Sequence, residues 1–295
     1  MSAAKIKPGP RPAAPSAGPW LLAWKKLRRN RLFLLSAAVI GVYIVLASLA
    51  ALGVIATRFQ EAVGPGYQPP SAEFAWGTDV LGRSVLARLV HGARLSLLVG
   101  LLTTGIAIPI GVVLGLLAGM SRRFLDPLIV WFYTTLDSIP TLLLLLSLAL
   151  LLPTGKGVLT LCLALGTTSW VATCRIVRGE VMRQRELPYV RAAKAVGVPA
   201  WRIGIKHVLP NLWHLVLVQA SLVFVFAIKS EVILSYLGVG IVDKPSWGVM
   251  IDDARIELIG RGAWWQFTGA TAALFILVLA FNLFSDALKE ALDPR

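Results

Sequence analysis

Residues 95–121 read LSLLVGLLTTGIAIPIGVVLGLLAGMS, a stretch without Lys, Arg, Asp or Glu. A helix needs about 20 mainly apolar residues to cross the hydrocarbon core of a bilayer, which is roughly 30 Å thick. Apolar and polar residues do not alternate here, and this favours a helix over a barrel strand. The stretch therefore predicts a transmembrane helix.

Five further stretches share this property, so the sequence predicts six membrane spans. They are residues 32–57, 127–155 (interrupted only by Asp137), 157–174, 207–228 and 262–285. The 295-residue chain is 57% hydrophobic and 15% charged, whereas soluble domains carry about 25% charged residues. The predicted fold class is an all-α integral membrane protein.

The distribution of Lys and Arg predicts the orientation. With the N-terminus in the cytoplasm, the inner segments hold 20 of these residues and the outer segments hold 8. Cytoplasmic loops are enriched in positive charge, so both termini are expected inside. The net charge of +14 favours contact with membrane lipid, and no nucleic acid partner is expected because the basic residues flank apolar stretches.

Composition divides the chain into five segments. Residues 1–30 are expected to be a disordered cytoplasmic segment, and residues 31–57 a retained first transmembrane helix, since the apolar run is too long for a signal peptide. Residues 58–94 form an outer connection. Residues 95–290 form a core of five further transmembrane helices, with a second outer connection at 236–261, and 291–295 are a cytoplasmic C-terminus.

The inner loop at about residues 183–210 carries the most information. Pro188 suits the start of a helix, Gly197 ends it, and Pro199 starts a second short helix through Ile203. An amphipathic helix at this position could lie on lipid or dock into the groove of a partner. The residues alone leave both alternatives open.

Several motifs in this order resemble one family. Ala192-Ala193, Gly197 and Leu209-Pro210 resemble the E-A-A-x3-G-x9-I-x-L-P loop of bacterial ABC import permeases, with Arg191 and His207 in place of Glu and Ile. Residues 77–83 (GTDVLGR) resemble the G-T-D-x-x-G-R motif of dipeptide and oligopeptide permeases, and Ser84 replaces a frequent Asp. Residues 235–240 (SYLGVG), 245–248 (PSWG) and 281–295 continue the resemblance.

The resemblance, over about residues 30–295, is to the DppC/OppC family. It implies a type I ABC importer permease fold with cytoplasmic coupling helices. The residues it assigns to contact with the ATPase are Tyr189, Arg191, Ala192, Ala193, Lys194, Gly197 and Trp201. It implies a DppB/OppB-like second permease, two DppD/DppF-like subunits that bind ATP and Mg²⁺, a periplasmic or lipid-anchored solute-binding protein, and the bacterial cytoplasmic membrane.

The expected function is import of dipeptides or oligopeptides, and nickel, glutathione or another small solute is the alternative cargo. A secondary transporter would show repeat symmetry between its halves, and the sequence shows no convincing repeat. An intramembrane enzyme would need a polar cluster at membrane depth, and only Asp137 is clearly expected there. No G-x4-G-K-[ST] sequence is present, so ATP hydrolysis is expected on separate subunits. No catalytic residue, metal site or bound cofactor is expected on this chain.

A second set of residues carries more open predictions. Charges within spans usually face a cavity or a partner, so the translocation path could include Asp137, Pro140, Lys229 and Glu231, although pairing inside the bundle or a packing kink is the alternative. Asp79 and Arg83 could pair with each other or cap a helix end, or they could contact the binding protein. Trp247, Trp264 and Trp265 are expected in the interfacial belt, with an outer-face contact as the alternative for Trp247. His207 and His214 are expected at helix ends rather than as metal ligands.

Overall fold

The structure, a computed structural model, is helical and describes residues 19–121, 124–151, 157–241 and 244–292. A π-helical turn, Gly204–Val208, precedes α10. The helices are α1 Pro19–Arg29, α2 Arg31–Ala51, α3 Val85–Met120, α4 Leu125–Asp137, α5 Thr141–Leu151, α6 Val158–Thr168, α7 Trp170–Gln184, α8 Pro188–Ala195, α9 Ala200–Ile203, α10 Leu209–Tyr236, α11 Trp247–Arg261 and α12 Trp265–Leu292.

Five candidate spans are long and apolar enough to cross a membrane. Three are single helices, α2, α3 and α12. Two are composite: α6 and α7 run together over Val158–Gln184, and α9, the π-helical turn and α10 run together over Ala200–Tyr236. The all-α membrane class is confirmed, and the predicted number of six is reached when the bent pair of α4 and α5 counts as one span.

The third predicted span, residues 127–155, is not one straight helix. α4 and α5 meet at 90°, and the connection between them contains Pro140. Proline donates no backbone hydrogen bond and its ring clashes with the preceding turn. A bend at Pro140 is what a proline within this span predicts, and the two arms together still count as one candidate span. Residues 152–155 lie outside the described part.

The helix α3 begins ten residues earlier than predicted, inside the supposed outer connection 58–94. Ser84 caps it by accepting a hydrogen bond from the N–H of Ala87. At 1.5 Å per residue, 36 residues extend well beyond a bilayer core of about 30 Å. Arg88 and Arg94 ended the apolar stretch without ending the helix, so the boundary at 94 was wrong.

A short helix precedes the first span, where the sequence predicted disorder over residues 1–30. Leu27 of α1 is buried against Ala287 and Ala291 of α12. This packing fixes the helix to the end of the bundle. The expectation of disorder is wrong for Pro19–Arg29, while residues 1–18 lie outside the described part.

The second outer connection contains a helix that the sequence did not predict. Ser246 caps α11 by accepting a hydrogen bond from the N–H of Val249 (3.2 Å), and Gly262 ends the helix with a φ of +66°. Asp252, Asp253 and Glu257 keep this stretch too polar for an apolar window. Hydropathy therefore gave no signal for it.

The centre of the bundle is α3, which packs against α2, α6, α7 and α10. Its contact with α7 is formed by Gly111, Gly115 and Gly119, four residues apart, here called the glycine seam. A Cβ at any of the three would lie 2.6–2.8 Å from atoms of α7. Small residues let membrane helices approach closely, so α3 and α7 pack with their backbones almost in contact.

Candidate functional site

The two short helices α8 and α9, together with the turn between them, form an elbow over residues 188–203. Gly197 lies in the turn with a φ of +86°, a conformation that glycine adopts without the steric cost of a Cβ. The N–H of Gly197 donates to the carbonyl of Lys194 (3.0 Å), and that of Val198 to the carbonyl of Ala193 (3.1 Å). The predicted helix–glycine–helix arrangement is confirmed.

The inner side of the elbow is anchored to two membrane helices. Val190 of α8 and Ile203 of α9 are fully buried. They pack in one apolar cluster with Val177 and Val181 of α7 and with Leu212 of α10. Full burial of each such side chain contributes about 1.5–3 kcal/mol. A force applied to the elbow is therefore passed to both spans.

The side of the elbow that faces away from the bundle is exposed and partly apolar. Val196 is 84% exposed and Trp201 62%. Exposed aliphatic and aromatic side chains on one short element are typical of protein interaction sites. Ala193 is half-buried, and the other predicted contact residues are exposed, namely Tyr189, Arg191, Ala192, Lys194, Gly197 and Trp201.

A carboxylate lies beside the elbow although Arg191 replaces the Glu of the motif. Glu186 accepts a hydrogen bond from Nη2 of Arg191 (3.2 Å) and lies 3.5 Å from Nε of Arg185. Nη1 of Arg185 donates to the carbonyls of Gly119 (2.8 Å) and Ser121 (3.3 Å). The positive charge of Arg185 also interacts favourably with the negative C-terminal end of the α3 dipole. The cluster joins α3 to the elbow, and motif matching missed Glu186 because it precedes the motif.

Tyr189 links the elbow to the spans on either side. Its hydroxyl donates to Oε1 of Gln184 at the end of α7 (2.9 Å) and accepts from Nδ2 of Asn211 in α10 (3.2 Å). The same amide donates to the carbonyl of His207 (2.9 Å). These bonds fix the orientation of α8 relative to α7 and α10, so Tyr189 has a structural role besides its exposed ring.

Comparison with known proteins identifies the family. Residues 111–295 match the family described as "Binding-protein-dependent transport system inner membrane component". The chain belongs to this family. Residues 18–70 match the "N-terminal TM domain of oligopeptide transport permease C". The family predicted from the motifs is confirmed, and the chain is a permease subunit of a transport system.

Curated relatives match this permease over most of its length. It is 35% identical to the dipeptide transport system permease protein DppC of Bacillus subtilis over 274 residues, covering 92% of this chain and 85% of the relative. It is 39% identical to the di/tripeptide transport system permease protein DppC of Pseudomonas aeruginosa, covering 77% and 76%. It is 31% identical to the oligopeptide transport system permease protein OppC of Bacillus subtilis, covering 94% and 90%.

Two ion pairs join the bent helix pair of the permease to α7. Nη2 of Arg175 lies 2.7 Å from Oδ2 of Asp137, the last residue of α4. Arg178 forms two hydrogen bonds to Asp126 (2.5 and 3.0 Å) in the first turn of α4. Asp137 and Pro140 are exposed at the bend. Their place on a translocation path stays a prediction.

The two charged residues near the C-terminal end of α10 have different surroundings. Lys229 is exposed, and its assignment to the path stays a prediction. Glu231 is fully buried, and its Oε1 accepts a hydrogen bond from the hydroxyl of Ser235 (2.8 Å). Residues two apart lie on different sides of a helix. The assignment of Glu231 to the path surface is wrong for this conformation, because the side chain is enclosed by its own bundle.

Asp79 organises the outer connection from inside. It is fully buried and accepts from Nε of Arg83 (2.6 Å) and Nη1 of Arg88 (2.5 Å). Its other oxygen accepts from the N–H groups of Leu81 and Arg83. The expectation that Asp79 and Arg83 pair is confirmed. Direct contact of Asp79 with a docked protein is wrong for this conformation, whereas Arg83 is partly exposed and keeps that prediction.

Two of the three tryptophans expected in the interfacial belt are buried instead. Trp247 is fully buried against Gly92, and its Nε1 donates to the carbonyl of Leu89 (3.0 Å). Nε1 of Trp265 donates to the carbonyl of Thr78 (2.9 Å). The belt prediction is wrong for both, as is the outer-face contact for Trp247, because each indole N–H is satisfied by a carbonyl inside the fold. Trp264 is 52% exposed and keeps the belt prediction.

Two further predictions concern sites for metals. His207 lies in the π-helical turn before α10, and His214 in the second turn of α10. Because these segments run together over Ala200–Tyr236, neither residue lies at the end of that composite span, and the helix-end prediction is wrong. Within the described ranges, no three His, Cys, Asp or Glu side chains converge as metal ligands. The site of the permease that the geometry defines best is therefore the elbow.

Proposed function

We propose that this permease forms one half of the translocation path of an ATP-driven importer of dipeptides and oligopeptides. The exposed elbow, anchored to α7 and α10, carries the proposal. Val196 and Trp201 project from a rigid element that is built to receive a partner. The cargo follows from the names of the relatives in Bacillus subtilis and Pseudomonas aeruginosa, which are dipeptide and di/tripeptide permease proteins.

The proposal assigns the remaining parts of the transporter to other chains. Two ATP-binding subunits hold ATP and Mg²⁺, since this chain has no phosphate-binding loop sequence, and one of them receives the elbow. A second, DppB/OppB-like permease completes the path. A periplasmic or lipid-anchored binding protein delivers cargo. Both termini lie in the cytoplasm of a bacterium, so that the elbow faces the ATPase.

The proposed mechanism is alternating access driven through the elbow. ATP binding closes the ATPase pair and displaces the elbow. Val190 and Ile203 are buried against the spans, so the displacement moves α7 and α10 with it. The glycine seam passes the motion from α7 to α3. Packed helices move as rigid bodies between discrete arrangements, and the path opens alternately outward and inward.

The cargo is tested with the reconstituted complex of both permeases, both ATP-binding subunits and the binding protein. We expect a dipeptide or tripeptide to stimulate ATP hydrolysis and to accumulate in the vesicles. Nickel ions and glutathione are compared at the same concentrations. Stimulation by either of these, without stimulation by peptides, would contradict the peptide assignment and support the alternative cargo within the same architecture.

The elbow contact is tested with a matched pair of exposed tryptophans. Trp201→Ala removes an anchor from the elbow, and Trp264→Ala removes a similarly exposed ring from the start of α12. We expect the first variant to lose most of its ATPase subunits during purification, since aromatic anchors at interfaces contribute about 2 kcal/mol or more. The second variant should retain them. Equal retention by both variants would contradict the assignment of the elbow.

A further inference from the structure

Five basic residues lie at the junction of α1 and α2, and all five are exposed. They are Lys25, Lys26, Arg28, Arg29 and Arg31, here called the basic collar. None of them forms an ion pair with another described residue. Such a concentration of cations, unpaired among the described residues, attracts an anionic partner.

A cavity of about 410 Å³ lies beneath the basic collar, between α1 and the end of α12. Lys26 and Arg29 line one side of it, and Ala287, Glu290 and Ala291 line the other. Lys26 and Arg29 are three residues apart and therefore lie on one face of α1. The volume lies within the range of small-ligand pockets, about 300–1,000 Å³. The cavity offers two cations to one anionic group and has an apolar wall.

The apolar surface beside the cavity indicates what carries this anionic group. Leu32 and Leu35 in the first turns of α2 are exposed, and α2 is a candidate membrane span. Trp24 of α1 is exposed as well, a residue type enriched at the membrane–water interface. Cations next to lipid-facing leucines match the two ends of a phospholipid, a phosphate headgroup and its acyl chains.

We propose that this cavity binds the headgroup of an anionic phospholipid, with Lys26 and Arg29 on its phosphate and the acyl chains along α2. Lys25, Arg28 and Arg31 surround the site and outweigh the single carboxylate of Glu290, so a headgroup with net negative charge is favoured. Leu27 already packs α1 against α12. The bound lipid adds a second connection between α1 and α12.

The test counts lipids on the purified transporter complex by native mass spectrometry during titration with phosphatidylglycerol or phosphatidylcholine. We expect one phosphatidylglycerol to bind more tightly than any phosphatidylcholine. Lys26→Gln with Arg29→Gln should weaken this binding at least tenfold, since both cations that line the cavity are lost. Both substituted side chains are exposed, so folding of this variant should be retained.

The matched control is Lys25→Gln with Arg28→Gln, which removes the same charge from residues that do not line the cavity. We expect a clearly smaller loss of affinity than for the first double variant. Equal losses in the two variants would overturn the proposal, because they would indicate diffuse attraction without a site. Equal binding of the two lipids would overturn it too, as would loss of ATP-binding subunits with lipid binding unchanged, which would assign the basic collar to a protein partner.

Discussion

At the scale of single residues, Gly197 gives the sharpest prediction. A Cβ added there meets no atom within 4 Å, so Gly197→Ala changes only the backbone preference. The left-handed conformation costs an L-residue about 1–2 kcal/mol. We expect weaker coupling between ATP hydrolysis and peptide uptake, and a stronger effect for Gly197→Pro, whose ring fixes φ near −65°.

The control for this prediction is Gly179→Ala in α7. That position is also open, but its φ lies in the ordinary helical range, where Ala is more favourable than Gly by about 1 kcal/mol. We expect unchanged coupling and slightly higher thermal stability. Normal coupling in Gly197→Pro would show that the turn is not needed to transmit force.

Glu257 gives a prediction about pH. Burial raises the pKa of this carboxyl above its ordinary value of 4.5; the N–H of Val80 opposes this shift, Asp79 and Asp253 add to it, and Arg88 opposes it. The folded state therefore binds this proton more tightly than the unfolded state does, so stability falls as the pH rises through the window above 4.5.

Replacing Glu257 with Gln removes the buried charge and keeps an oxygen acceptor for the N–H of Val80. We expect a higher melting temperature than wild type at pH 7, and the gain should disappear as the pH falls below the ordinary pKa of 4.5. Thermal unfolding in detergent at several pH values measures it. A gain that is independent of pH would contradict burial of an ionised carboxylate.

Residues that act through the local backbone conformation could be predicted from the sequence. Residues that are buried by tertiary packing could not. Gly197 and Pro188 determine local backbone geometry, so the elbow followed from the sequence. By residue type and position in the sequence, Trp247 and Asp79 look like surface residues. Only the packing in the structure shows that they are buried. Glu231 is likewise buried by packing that the sequence did not indicate.

At the scale of helices, the two ion pairs between α4 and α7 are expected to contribute unequally to stability. Asp126 accepts two hydrogen bonds from a mostly buried Arg178, whereas Asp137 and Arg175 are both about half exposed. Charge-assisted pairs with little exposure contribute about 1.5–3 kcal/mol, and exposed pairs about 0–1 kcal/mol. We expect Asp126→Ala to lower the melting temperature clearly and Asp137→Ala to lower it little.

Thermal unfolding of the two variants in the same detergent tests this expectation. Because both aspartates lie on α4 and both partners on α7, the comparison keeps the helices constant. A larger effect of Asp137→Ala would indicate that the bend itself depends on the exposed pair. Activity measured alongside would then show whether Asp137 has the role on the path that remains a prediction.

Helix boundaries were the least predictable feature at this scale, for identifiable reasons. Hydropathy ended α3 at Arg94, although the helix continues toward its N-terminus through Arg88, whose charge is paired with Asp79. It merged α4 and α5 because Pro140 is not a charged residue. Hydropathy also missed α11 and α1, because their polar faces lower the mean hydropathy of the window. Composition reports contact with lipid, whereas the start of α3 depends on pairing of charges and the bend after α4 on backbone geometry.

At the scale of the whole molecule, transmission depends on the glycine seam. A larger residue at Gly115 would place atoms 2.8 Å from the carbonyl oxygen of Cys174 and from Val177, so α7 would have to move away from α3. Overpacking of this kind costs about 1–3 kcal/mol. We expect Gly115→Leu to lower the melting temperature of the permease and to separate ATP hydrolysis from uptake in the protein that still assembles.

Gly105 of α3 supplies the comparison, because a Cβ there meets no atom within 4 Å. Gly105→Leu adds the same side chain to the same helix away from the seam, so we expect the melting temperature of the isolated permease to be nearly unchanged. If both substitutions lowered it equally, α3 would be sensitive to volume as such. If Gly115→Leu uncoupled hydrolysis from uptake and Gly105→Leu did not, the elbow would act through α7 on α3, since these helices meet at the seam.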